Sequence, residues 1–76
     1  MKVRITKRHI AEGVCADARR CPIALALIDR FGGQAHVGVG VEVRGVRHTL
    51  TTEAARFIEA FDACRPVSPG WLTVWE

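Results

Sequence analysis

Nowhere does this chain carry an apolar run long enough to cross a bilayer. The longest, Ile23 to Ile28, has six residues, against the roughly 20 that a spanning helix needs. The opening Met1-Lys2-Val3-Arg4-Ile5 is charged but lacks the uninterrupted apolar segment and small-residue cleavage site of a secretory signal, so a cytoplasmic location without membrane contact is expected. Cysteine is scarce and odd in number. Three thiols do not make the paired framework of a small secreted domain, and Cys15, Cys21 and Cys64 are expected to be free. Zinc-ligand spacing is missing as well: five residues separate Cys15 from Cys21, where structural sites use roughly two to four. No Cys-x-x-Cys or His-x₃₋₅-His pair occurs. The glycines do not form Gly-x-x-x-x-Gly-Lys-Ser/Thr, so no phosphate loop is present, and neither metal nor cofactor is implied. No segment repeats and none is of low complexity.

What is present has the composition of a folded unit. Hydrophobic residues make up 49% of the chain and charged ones 25%, too apolar for a disordered tail. A chain of this size buries only about 60% of its unfolded surface and has no material for a second core, so residues 1–76 are expected to form one domain of modest stability. Nine Arg and two Lys against eight acids give a net charge of +3, which is mild for a nucleic-acid-binding protein and spread along the chain.

Hydrophobic periodicity outlines the elements. Val3 and Ile5 alternate with Lys2, Arg4 and Thr6, predicting a half-buried strand. Thr6 is placed to cap a short helix over Lys7 to Glu12, which Gly13 would end in the left-handed conformation. Val14 to Arg20 has no period and predicts a loop. Pro22 suits the first position of a helix in which Ala24, Leu27, Ile28 and Phe31 recur at i, i+3, i+4 and i+7, stopped by Gly32-Gly33. His36 to Val43 alternates strictly, with four valines on one face, and predicts the central strand. Arg44-Gly45 turns it into a hairpin in which Val43 opposes Val46, Glu42 opposes Arg47 and Val41 opposes His48. Thr51 caps a helix with Glu53 in its first turn and with Ala54, Phe57, Ile58 and Phe61 on its buried face. The prolines at 66 and 69 end that pattern, and Trp71 to Trp75 predicts a last strand. The expectation is an α+β fold of order β-α-α-β-β-α-β. It would have a four-stranded, mainly antiparallel sheet, with two main helices and a short N-terminal one packed on one face, as a split β-α-β arrangement allows.

Four strings extend beyond pattern: Thr6-x-x-His9-Ile10-x-x-Gly13, Cys21-Pro22-Ile23-Ala24-Leu25-Ala26-Leu27, Thr52-x-Ala54-Ala55-x-Phe57-Ile58-x-x-Phe61-Asp62 and Arg65-Pro66-Val67-x-Pro69. Together they resemble a family of small proteins encoded by bacteriophages and prophages, especially those of actinobacteria. The resemblance covers nearly the whole chain and is most specific in the Cys-Pro-Ile-Ala-Leu-Ala-Leu string. It implies a genomic setting without naming a reaction. The family tends to have glycine at the position of Cys64, and polar groups at those of Trp71, Thr73 and Trp75, which makes the two tryptophans look like a local addition.

Chemistry-bearing residues are few. Cys21 stands at a helix N-terminus, where the dipole stabilises a thiolate, but no His or carboxylate is tied to it by a nucleophile motif, and a packed cap is the simpler reading. His48 falls on the valine face, as a packed histidine near a sheet edge; His9 falls on the short helix and His36 at a strand start. Gly38 and Gly40 strip side chains from the outer face of the hairpin. If the apolar residues of all strands face the helices, that outer surface carries Lys2, Arg4, His36, Glu42, Arg47, Thr49, Trp71, Thr73 and Trp75. The candidate binding residues are Arg4, His36, Arg47, Trp71 and Trp75, since Trp and Arg are the anchors of protein interfaces. The expected partner is a host or phage protein, or a second copy docking through the same face or along the edge of the last strand. A single-stranded nucleic acid is the alternative, because rings stack bases and cations meet phosphate. Against it, the aromatic signature of RNA-binding sheets is absent and Glu42 would repel phosphate. A thiol-dependent enzyme centred on Cys21 comes third, and catalysis is not expected. The plainest alternative leaves Trp71 and Trp75 as covers for a small core.

Overall fold

Alternation produces the first strand as expected. In the computed structural model, which covers residues 1–76, β1 (Lys2–Ile5) turns Val3 and Ile5 into the core and Lys2 and Arg4 outward. Thr6 caps α1 (Lys7–Glu12), its hydroxyl accepting from the His9 N–H at 3.2 Å. Gly13 ends α1, though not in the left-handed conformation: its φ of −64° and ψ of 148° are extended. Glycine is needed there for contact instead. A Cβ at this position would stand 2.8 Å from the Pro22 ring and 2.9 Å from the His9 carbonyl oxygen.

Turns fill residues 14–20, closed by a 2.9 Å bond from the Val14 N–H to the Arg20 carbonyl. α2 (Pro22–Phe31) has Pro22 at its first position and buries Ile23, Ala24, Ala26 and Leu27. That breadth of apolar surface lets α2 pack against both β1 and the next strand, β2. Gly32 and Gly33 stop it with φ of 75° and 73°.

The alternating segment from His36 to Val43 is not one strand. It divides into β2 (Ala35–Val37) and β3 (Val41–Val43), with the chain reversing through Gly38-Val39-Gly40 and the Gly38 N–H bonded to the Gly40 carbonyl at 2.9 Å. Two residues without side chains weaken the middle of a strand, and reversal there pairs Val37 with Val41 on the buried side. Only Val39 loses its place and becomes fully exposed. Arg44 and Gly45, with φ of 50° and 82°, then form a type I′ turn. β4 (Val46–His48) returns in the predicted register, Val43 opposite Val46 and Val41 opposite His48.

The five strands form two antiparallel sheets rather than a single four-stranded one. β1 pairs only with β5 (Gly70–Thr73), and β2-β3-β4 make the second sheet. The outer edge of β5 explains the separation. α3 (Thr52–Asp62) is capped by Thr51, whose hydroxyl accepts from the Ala54 N–H at 3.1 Å and donates to the Thr73 carbonyl at 2.5 Å. Glu53 accepts from the Thr73 N–H at 2.7 Å, and the Thr51 N–H reaches the Val74 carbonyl at 2.9 Å. The backbone groups that another strand would pair with are therefore held by the start of α3. The class is α+β, in the order β-α-α-β-β-β-α-β. A cluster of 14 buried residues, with Ile5, Ile23, Leu27, Val41 and Val74 fully enclosed, draws on both sheets and on α2 and α3. No helix is long and apolar enough to cross a membrane.

Candidate functional site

The edge bonding of Thr73 also sets which side chains meet across the β1–β5 ribbon. Since Thr73 directs both backbone groups to α3, the pair Lys2–Thr73 is a non-hydrogen-bonded one, and two residues along so is Arg4–Trp71. Side chains lie closest in such pairs. Arg4 and Trp71 thus share the outward face, while Val3, Ile5 and Leu72 fill the inward one. Trp71 is 69% exposed. Lys2 extends the same face, and a shallow depression lined by Arg4, Thr6, Lys7, Pro69 and Gly70 adjoins it. An exposed aromatic ring with Arg4 opposite it and Lys2 on the same face suits an acidic partner with one apolar contact.

The other three candidates are elsewhere. Trp75 is half-buried, stacked on His48 with ring centroids 4.0 Å apart and planes 9° from parallel, and it also packs against Phe31 at 6.2 Å. It fastens the end of the ribbon to the three-stranded sheet. His36 and Arg47 flank Glu42 on the exposed side of that second sheet, beside a groove that also receives Arg19 and Arg44. The single outer face expected of the sequence is thus two faces, because the sheet it presumed is two sheets.

Cys21 is the N-cap of α2. It is buried, and its Sγ accepts from the Ala24 N–H at 3.4 Å. Burial pushes the thiol up, against the smaller opposing effect of the backbone N–H groups of Ala24 and Ile23. Buried at the start of the helix, the thiol serves as the cap of α2. No group of three or more His, Cys, Asp or Glu side chains is arranged to hold a metal ion.

One polar constellation was not anticipated. His9 is buried, its Nδ1 accepts from the Thr6 N–H at 3.0 Å, and its Nε2 lies 2.6 Å from Asp29 Oδ2. Because Nδ1 must accept, the ring proton is on Nε2 and is donated to the carboxylate. Arg8 donates to the same oxygen at 2.7 Å. The His9 hydrogen bond, and then the Arg8 charge, hold Asp29 below the usual carboxylate range. With both nitrogens engaged, the imidazole has no free lone pair for proton abstraction, and the arrangement locks α1 onto α2. The sequence signal was the capping-box spacing from Thr6 to residue 9, which normally carries Glu or Gln at the third position.

Compared with known proteins, the chain matches no protein-family model, no curated protein and no solved structure.

Proposed function

We propose that the protein is a phage-encoded accessory protein of the bacterial cytoplasm that acts by binding a host or phage protein through the Arg4–Trp71 face of its β1–β5 ribbon. The observation that carries this reading is Trp71, 69% exposed on a two-stranded ribbon with Arg4 directly opposite it. Large rings on fixed backbones are the residues whose truncation most weakens protein complexes. The resemblance to small phage proteins supports the setting. A standard interface covers about 800 Å² per partner, roughly a sixth of the 4873 Å² of this chain, so Lys2, Lys7 and Pro69 belong to the contact as well. Charge favours an acidic partner surface.

Two alternatives lose support on geometry. Stacking of single-stranded nucleic acid relies on successive exposed rings, and with Trp75 packed against His48 only Trp71 is available. Self-association along the last strand would require the β5 edge that Thr51 and Glu53 already occupy. The test is affinity capture from bacterial lysate with wild type and with Trp71→Ala. A protein retained by the first should bind the second at least about 30-fold more weakly, the equivalent of about 2 kcal/mol. Equal recovery by both proteins would remove the face from consideration, and a low-salt gel shift with oligonucleotide that depends on Trp71 would favour nucleic acid instead.

A further inference from the structure

Two of the three cysteines, at positions 15 and 64, meet at the C-terminal end of α3. The meeting is built by backbone geometry. α3 ends in a Schellman motif, with the Arg65 N–H bonded to the Ala60 carbonyl at 2.9 Å and the Cys64 N–H to the Phe61 carbonyl at 3.0 Å. The Cys15 thiol donates to that same Phe61 carbonyl at 3.3 Å. The next residue, Ala16, anchors the loop through its N–H to Asp62 Oδ1 at 2.9 Å. Both cysteines are exposed, in contrast to Cys21.

Cys64 itself stands in a backbone conformation that side-chain-bearing residues rarely adopt. Its φ is +59°, the left-handed position after a helix that usually falls to glycine, since any Cβ there is strained. The fold carries a thiol at a place where a side chain costs stability. The Cys64 N–H and the Cys15 thiol converge on one acceptor, the Phe61 carbonyl oxygen.

We propose that Cys15 and Cys64 are a reversible dithiol site, oxidised to an intramolecular disulfide by low-molecular-weight disulfides. The Cys64 thiolate attacks one sulfur of the small disulfide, forming a mixed disulfide and expelling one small thiolate. The Cys15 sulfur, once deprotonated, attacks the Cys64 sulfur and expels the second. Two S–H bonds are lost and one S–S bond is formed in the protein, while the small disulfide gains two electrons and leaves as two thiols. The order follows from the hydrogen bonds. The Cys15 proton is held by the Phe61 carbonyl, so Cys15 resolves rather than initiates. The product staples the loop of residues 14–20 to the end of α3. This site is independent of the ribbon face.

The test treats the whole folded protein with oxidised glutathione and maps its peptides without reduction. Wild type should lose two hydrogens in mass and yield Cys15 joined to Cys64, with Cys21 unmodified. Cys15→Ser should stop at a stable glutathione adduct on Cys64. Oxidised wild type should melt about 10 °C or more above the reduced form, because the bond closes a long loop in the unfolded chain. Independent glutathione adducts on both cysteines of wild type, or no reaction under conditions where the urea-unfolded protein reacts, would overturn the proposal. Both cysteines are exposed, so serine variants are expected to keep the far-UV spectrum of wild type.

Discussion

His9 is the residue whose role is hardest to infer from its neighbours in sequence and easiest to infer from its bonds. A buried imidazole costs stability unless both nitrogens are satisfied, and here they are, by Thr6 and Asp29. His9→Ala leaves the Thr6 N–H and the Asp29 carboxylate without that partner, and should lower stability by about 2 kcal/mol or more in urea denaturation. Asp29 supplies a pH signature. Its carboxyl titrates lower in the folded protein than in the unfolded chain, so its contribution is complete above the ordinary carboxylate range. It fades as pH falls through the depressed value, where the folded state must also take the proton. Thermal unfolding of wild type and Asp29→Ala from neutral to strongly acidic pH should therefore show a constant gap that closes in acid. A gap independent of pH would assign the effect to packing alone. Cys64 was legible only as a departure from glycine. Its positive φ makes Cys64→Gly stabilising by about 1 kcal/mol under reducing conditions. Asp29 left no sequence signal, because a carboxylate at the solvent side of an amphipathic helix looks like any other.

At the scale of elements, legibility depended on whether a pattern had one structural solution. The α3 face, the Thr51 cap, Pro22 at the start of α2 and the β3–β4 register were all readable, since burial spacing and turn chemistry agree there. The segment from His36 to Val43 had two solutions. A period of two is preserved both by a continuous strand and by a reversal that pairs Val37 with Val41, and only the glycines at 38 and 40 favoured the second. Gly13 was right in position and wrong in reason. Dihedral freedom predicts that alanine there strains the backbone, whereas the observed extended conformation tolerates alanine and the obstacle is the Pro22 ring at 2.8 Å and the His9 carbonyl. Gly13→Ala should therefore destabilise by about 1–3 kcal/mol through overpacking. Gly13→Ala combined with Pro22→Ala should recover part of that loss, which a purely conformational effect would not allow.

For the whole molecule, the decisive fact is that two sheets share one core without sharing a strand. Sequence periodicity places residues on faces but says nothing about which strands are neighbours, and the choice was made at the edge of β5 by Thr51 and Glu53. Once that edge is closed, the segment after β5 reaches the other sheet by a side chain, and Trp75 on His48 is the contact that does so. The two tryptophans, alike in sequence and expected on one surface, consequently divide their roles. Trp75→Ala removes a half-buried ring and its stacking on His48, and should cost about 2–3 kcal/mol in chemical denaturation. Trp71→Ala removes a ring that is mostly in water and should change stability by no more than about 0.5 kcal/mol. A double-mutant cycle between Trp75 and His48 should return a coupling of about 0.5–1.5 kcal/mol, the range of stacked aromatic pairs, while a cycle between Trp71 and His48 should return none. Equal losses from the two alanine variants would mean that Trp71 also supports the core, and the binding face would then have no free anchor.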